Sequence, residues 1–134
     1  MLEHEIEEFK NYYPTYGQMI EEFKKVDIDL VRVKLTDGRI GYFNTISYYF
    51  DLVYMVGFSY EKAWRYAFKT LLANRMDYKY MSQSDLSKAS GISQGTISGY
   101  LSGRKMPSTV SIVKLAKALG VKSSYFTDCL MDIL

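Results

Sequence analysis

Between Gly91 and Arg104 the chain reads GISQGTISGYLSGR. The polar side chains at its centre are Ser93, Gln94, Thr96 and Ser98, three hydroxyls and one amide, and no lysine or arginine lies between Gly91 and Ser102. Groups of this kind recognise a partner by hydrogen bonding. Gly95 and Gly99 fall inside what the apolar spacing marks as a short helix, where each costs about 1 kcal/mol against alanine. They stand one turn apart, on the face away from Ile97 and Tyr100, so they do not serve the core and leave that face shallow. Such a face lets another molecule approach the helix backbone closely, whether a nucleic acid or the helix of a second protein.

The rest of the chain offers little chemistry of other kinds. His4 is the only histidine, and no Cys/His cluster has zinc spacing. The glycines at 91, 95, 99 and 103 recur every four residues on or beside helices and do not make a phosphate-binding loop. Scattered carboxylates near the start are expected on a solvated helix face. The reading is a protein that is not an enzyme and needs neither metal nor cofactor.

A chain of 134 residues, 48% of them hydrophobic, suffices for one ordinary core or two small ones. Net charge is only +2, but its distribution is uneven. Residues 1–29 carry eight acids and three lysines, a balance of −5, whereas residues 78–134 carry seven bases and three acids, a balance of +4. The single cysteine, Cys129, suits a reducing compartment and is expected to be a buried thiol. No apolar run approaches a membrane span, and the acidic start is wrong for a secretory signal, so a cytoplasmic protein with no membrane partner is expected.

The elements that position the central segment can be read by spacing. Leu2, Ile6, Phe9 and Tyr13 predict an amphipathic helix, and Met19, Ile20 and Phe23 repeat the helical signal weakly over 18–26. Residues 30–43 predict a β-hairpin: Val31, Val33 and Leu35 alternate with polar residues before Asp37-Gly38, the preferred two-residue turn. That turn pairs Thr36 with Arg39, Leu35 with Ile40, Lys34 with Gly41 and Val33 with Tyr42. Residues 45–56, rich in aromatic and β-branched side chains, are read as helix ending at Gly57. Ser59 then caps a helix with Trp64, Ala67, Phe68, Leu71, Leu72 and Met76 on its inner face.

Four short helices are expected after it. Ser82 and Asp85 have the form of a capping box, Leu86 and Ala89 face inward, and Gly91 supplies a left-handed stop. Ser93 caps the next helix, from Gln94 to about Ser102, with Ile97, Tyr100 and Leu101 inside and Gly103 at its end. Pro107 and Ser108 open a third with Ile112, Leu115, Ala116 and Leu119, closed by Gly120. A last helix carries Tyr125, Phe126, Leu130 and Ile133.

Two short helices joined through glycine, then a loop and a longer helix, is an arrangement used to read DNA. The stretch MSQSDLSKASGISQGTISGYLSGRKMPSTVSIVKLAKALGVKSSYF resembles the lambda-type repressor and Cro (XRE-like) helix-turn-helix family. The features that carry it are Gln83, Leu86, Gly91-Ile92, Gln94 to Ile97, Tyr100, Ser102-Gly103-Arg104 and the run Leu115 to Val121. Ser87 stands where the family usually has alanine, Ser90 where it has an apolar residue, and Leu101 where an acid is frequent.

The resemblance implies a mainly α chain. A five-helix lambda-repressor-like domain would occupy 61–134, and residues 1–60 would form an α+β accessory domain with one hairpin, for dimerisation or partner binding. It implies that Ser93, Gln94, Gly95, Thr96, Ser98 and Gly99 face the major groove, with Gln94 placed to read adenine. Gln83 would contact a phosphate, and Lys79, Lys88, Arg104 and Lys105 would neutralise others. The function implied is a bacterial or phage transcription regulator, most simply a repressor, bound as a homodimer to double-stranded DNA; with no arginine or lysine between Gly91 and Ser102, an A/T-containing half-site is expected. The alternative is an interaction protein with an autoregulatory DNA-binding domain, such as an antitoxin or an anti-CRISPR inhibitor.

Overall fold

The computed structural model describes residues 2–133, which divide into two compact units between Phe58 and Ser59. In the first, α1 (Glu3–Tyr12) and the single turn α2 (Pro14–Gly17) precede an antiparallel meander of β1 (Ile20–Asp27), β2 (Leu30–Leu35), β3 (Ile40–Asn44) and β4 (Phe50–Tyr54), paired in that order. Phe9 projects from α1 into a buried cluster with Val31, Val33, Leu35, Phe43 and Phe50 on one sheet face. Its ring meets Phe43 and Phe50 edge-on, at centroid distances of 5.1 and 4.9 Å. Full burial of such a ring stabilises by roughly 1.5–3 kcal/mol. It supplies the packing that a lone hairpin lacks.

The expected single hairpin is thus the centre of a four-stranded sheet. Residues 18–26, read as helical, fall mostly in β1. The three-residue spacing of Ile20 and Phe23 has another cause: Ile20 pairs with Leu35 and Glu22 with Lys34, leaving Glu21 as an extra residue. Such a bulge returns residues three apart to one face. Both side chains pack against the Phe9 cluster.

Residues 45–56, also read as helical, form a reversal followed by β4. The Asn44 carboxamide oxygen accepts from the amides of Ile46 and Ser47 at 2.9 and 2.8 Å, and Tyr48 adopts a left-handed φ of 59°. Phe50 then falls opposite Phe43 and Leu52 opposite Gly41. Cross-strand packing decides between strand and helix where periodicity could not.

The hairpin itself is one residue out of its expected register. Leu35 donates to the Arg39 carbonyl at 2.8 Å, so the loop is Thr36-Asp37-Gly38, three residues long. The Thr36 amide donates instead to Met19 at 2.7 Å, beyond the hairpin. Only Gly38, with φ of 90°, is left-handed; this is a turn closed by a glycine bulge, not the two-residue form. Val33 therefore pairs with Gly41 and Lys34 with Ile40. The shift moves Ile40 and Tyr42 to the face opposite Val31 and Val33.

The second unit contains α3 (Tyr60–Tyr78), α4 (Gln83–Ser90), α5 (Gln94–Leu101), α6 (Thr109–Leu119) and α7 (Ser124–Ile133). Serine hydroxyls cap four of them: Ser59, Ser82, Ser93 and Ser108 each accept the amide three residues on. Each such cap contributes about 1 kcal/mol. The core gathers Trp64, Phe68, Leu71, Leu72, Leu86, Ile97, Tyr100, Leu115, Leu119 and Phe126, all buried. Four side chains expected inside are less enclosed: Ala89 is exposed, and Leu101, Tyr125 and Leu130 are half-buried. Cys129 is buried and its thiol donates to the Phe126 carbonyl.

Candidate nucleic-acid interface

The α4–α5 corner is fixed by hydroxyl groups at each step. The Ser82 hydroxyl accepts the Asp85 amide at 3.1 Å, and the Asp85 carboxylate accepts the Ser82 amide at 3.0 Å. The backbone bond from Ser82, with Lys88 nearby, holds the exposed Asp85 carboxyl below its ordinary pKa of 3.8. Gly91 then turns the chain with φ of 77°. Ser87 and Ser90, the two small polar residues where the family has alanine and an apolar side chain, both serve this turn. Ser87 donates to the Ile92 carbonyl at 2.6 Å, and the Ser90 hydroxyl accepts the Ile92 amide at 3.2 Å. Ile92 is thereby held at both backbone groups. Neither hydroxyl is left unpaired.

Helix α5 is seated by Ile97 and Tyr100, the latter packing edge-on to Phe68 at 5.5 Å. The opposite side starts with Ser93, Gln94 and Gly95, all exposed, followed by the half-buried Thr96 and Ser98. The Ser93 hydroxyl accepts the Thr96 amide at 3.2 Å and donates to Thr96 Oγ1 at 2.8 Å. A Cβ at Gly95 would meet nothing within 4 Å. This end of the helix is open.

Gly99 differs from its expected placement on a bare face. It is buried, because the aliphatic stem of Lys105 lies over it: a Cβ at Gly99 would stand 2.6 Å from Lys105 Cδ. The shallow surface is confined to Gly95 and its neighbours. No local pattern in the sequence signals this cover.

Among the basic residues, Lys88, Arg104 and Lys105 are exposed on α4 and on the loop after α5. Arg104 Nε donates to Ser102 Oγ at 3.0 Å, holding the guanidinium near the end of α5. Lys79 stands elsewhere, with Nζ 3.7 Å from the position of a Cβ on Gly120 at the carboxyl end of α6. A cation there complements the helix dipole. Gln83, the first residue of α4, is half-buried beside a shallow hollow of about 240 Å³ lined also by Met76, Asp77, Met81 and Leu101. Opening α4, it has its amide among the unpaired donors of the first turn. Among the described residues there is no group of three or more His, Cys, Asp or Glu side chains that could hold a metal ion. Nor is any of their helices long and apolar enough to cross a membrane. His4 is exposed on α1 and pairs with Glu8 at 2.6 Å.

The arrangement, two capped short helices meeting at a left-handed glycine with the second presenting hydroxyls and an amide outward, defines a helix-turn-helix unit. The sequence profile of the helix-turn-helix family matches residues 75–126. The carboxy-terminal part of the chain belongs to the lambda-repressor and Cro-type (XRE-like) helix-turn-helix family. Among solved structures, the restriction-modification controller protein C.AhdI from Aeromonas hydrophila is similar at 30% identity over 45% of this chain and 91% of that chain, with a TM-score of 0.44. No curated protein matches the chain.

Proposed function

We propose that the chain is a sequence-specific transcription regulator, acting as a repressor by occupying its operator as a symmetric dimer, with α5 in the major groove. The observation that carries this reading is the exposed start of α5, Ser93-Gln94-Gly95, followed by the half-buried Thr96, on the side opposite the core residues Ile97 and Tyr100. Gln94 is exposed there, and its amide can donate to and accept from an adenine edge together. Gln83, Lys88 and Arg104 supply phosphate contacts that fix register without reading sequence. A single small domain buries little DNA surface, so two half-sites are needed for tight binding.

The test is selection of bound duplexes from a random double-stranded pool by the full chain, repeated with Gln94→Ala and Arg104→Ala. The reading predicts a palindromic motif whose adenine preference is lost with Gln94→Ala, and uniformly weaker binding with Arg104→Ala. No enriched motif and no salt-dependent binding would contradict it.

A protein partner for residues 1–58 is a second reading, favoured by a group of exposed side chains in that unit. Tyr12, Ile46 and Tyr49 are 57%, 72% and 63% exposed, and the Tyr12 ring stacks on Tyr48 at 4.5 Å. Co-elution of the purified chain with the product of a neighbouring gene, lost with Tyr12→Ser and Tyr49→Ser, supports this role. Self-association lost with the same changes assigns the surface to dimerisation instead.

A further inference from the structure

Helix α5 contains no lysine or arginine, but the loop that follows returns one to it. The helix ends with the Gly103 amide donating to the Tyr100 carbonyl at 3.1 Å and the Arg104 amide to the Gly99 carbonyl at 3.0 Å, a doubly bonded glycine cap. Two further donors converge on Gly99: the Lys105 amide at 3.2 Å and the Ser102 hydroxyl at 3.0 Å. The backbone of Lys105 is thereby tied to the last turn of α5. Its side chain runs across the outside of the helix. A Cβ at Gly99 would stand 2.9, 2.6 and 3.1 Å from Lys105 Cγ, Cδ and Cε, three successive stem carbons. No side chain at 99 is compatible with the stem in that place.

We propose that Lys105 is a base reader: Gly99 provides the notch for its stem, and its ammonium takes the O6 and N7 acceptors of a guanine. This rests on the operator-binding reading above and extends it to the identity of one base pair in each half-site. The Gly99 face is the one opposite Ile97 and Tyr100, and Gly95, one turn earlier on that face, is open. The ammonium, one bond beyond Cε, is therefore held close to the face of α5 that Gly99 shares with Gly95. An ammonium has three donors and no acceptor, which suits the two acceptors of guanine and is opposed by the amino donor that adenine presents beside N7. Arg104 is held differently, by its bond to Ser102, and keeps the phosphate role. The A/T-containing half-site expected from the absence of lysine and arginine in α5 gains a required G·C pair.

The test compares the full-length wild type with Lys105→Met, which keeps most of the stem without the charge, and with Gly99→Ala, which fills the notch. Each is measured against the selected duplex and against all four base pairs at every position. The proposal predicts a G·C pair in each wild-type half-site, discriminated roughly tenfold or more. Lys105→Met and Gly99→Ala should both level that one position and leave the preference for adenine intact. Uniform weakening over all duplexes, with the salt slope reduced by about one, would make Lys105 a phosphate contact and overturn the proposal. A wild-type motif without a required G·C pair would overturn it too. A wild type that binds no duplex contradicts the operator-binding reading first and this proposal with it.

Discussion

The Ser87 hydroxyl donates to the Ile92 carbonyl across 2.6 Å, tying the end of α4 to the start of the segment that leads into α5. Replacement by alanine, the residue usual at this place in the family, removes a bond to a backbone group that is largely out of water. The lost hydrogen bond costs about 1 kcal/mol, and alanine returns roughly 0.5 kcal/mol in helix propensity. Ser87→Ala is expected to lower the unfolding free energy by the difference, read as a lower urea midpoint with an unchanged denaturant slope. An equal or higher midpoint would show that this bond does not stabilise the turn.

Tyr13 occupies a comparable position in the amino-terminal unit. Its hydroxyl donates to the Tyr48 carbonyl at 3.0 Å and accepts the Phe50 amide at 2.9 Å, joining the end of α1 to both sides of the reversal before β4. Tyr13→Phe keeps the ring and leaves two backbone groups without that partner, a loss of about 1–3 kcal/mol. Faster amide hydrogen exchange at Phe50 should accompany it. Unchanged exchange there would contradict the bridging role.

Acid dependence follows from Asp85. Its folded pKa lies below the ordinary value of 3.8, so the unfolded chain binds its proton more readily than the folded one. The contribution to stability is therefore complete above the ordinary value and is lost as pH falls through the folded one. Wild type is expected to be more stable than Asp85→Asn at neutral pH, and the two curves should converge in strong acid. Parallel curves throughout would remove the carboxylate from the cap.

The carboxy-terminal unit was legible because its signals are local. Ser82 with Asp85, Ser93, Ser108 and the glycines at 91 and 120 each specify a helix end within four residues. The sheet was not, because its geometry depends on distant partners. The Glu21 bulge gives Ile20 and Phe23 a helix-like spacing, and the Thr36 amide is drawn to Met19, which alters the hairpin loop. At the candidate interface the exposure of Ser93, Gln94 and Gly95 follows from helical geometry around Ile97 and Tyr100. The cover over Gly99 does not, since it is made by a side chain folding back from the loop.

The central claim is that the outward side of α4 and α5 is the surface that meets DNA. Backbone amide mapping of the labelled full chain, titrated with duplex DNA at low and then raised salt, tests it most directly. The account predicts salt-sensitive shifts at Gln83, Lys88, Ser93 to Ser98, Arg104 and Lys105, with the strands β1 to β4 unaffected. Shifts confined to residues 1–58, or none on α5, would contradict it.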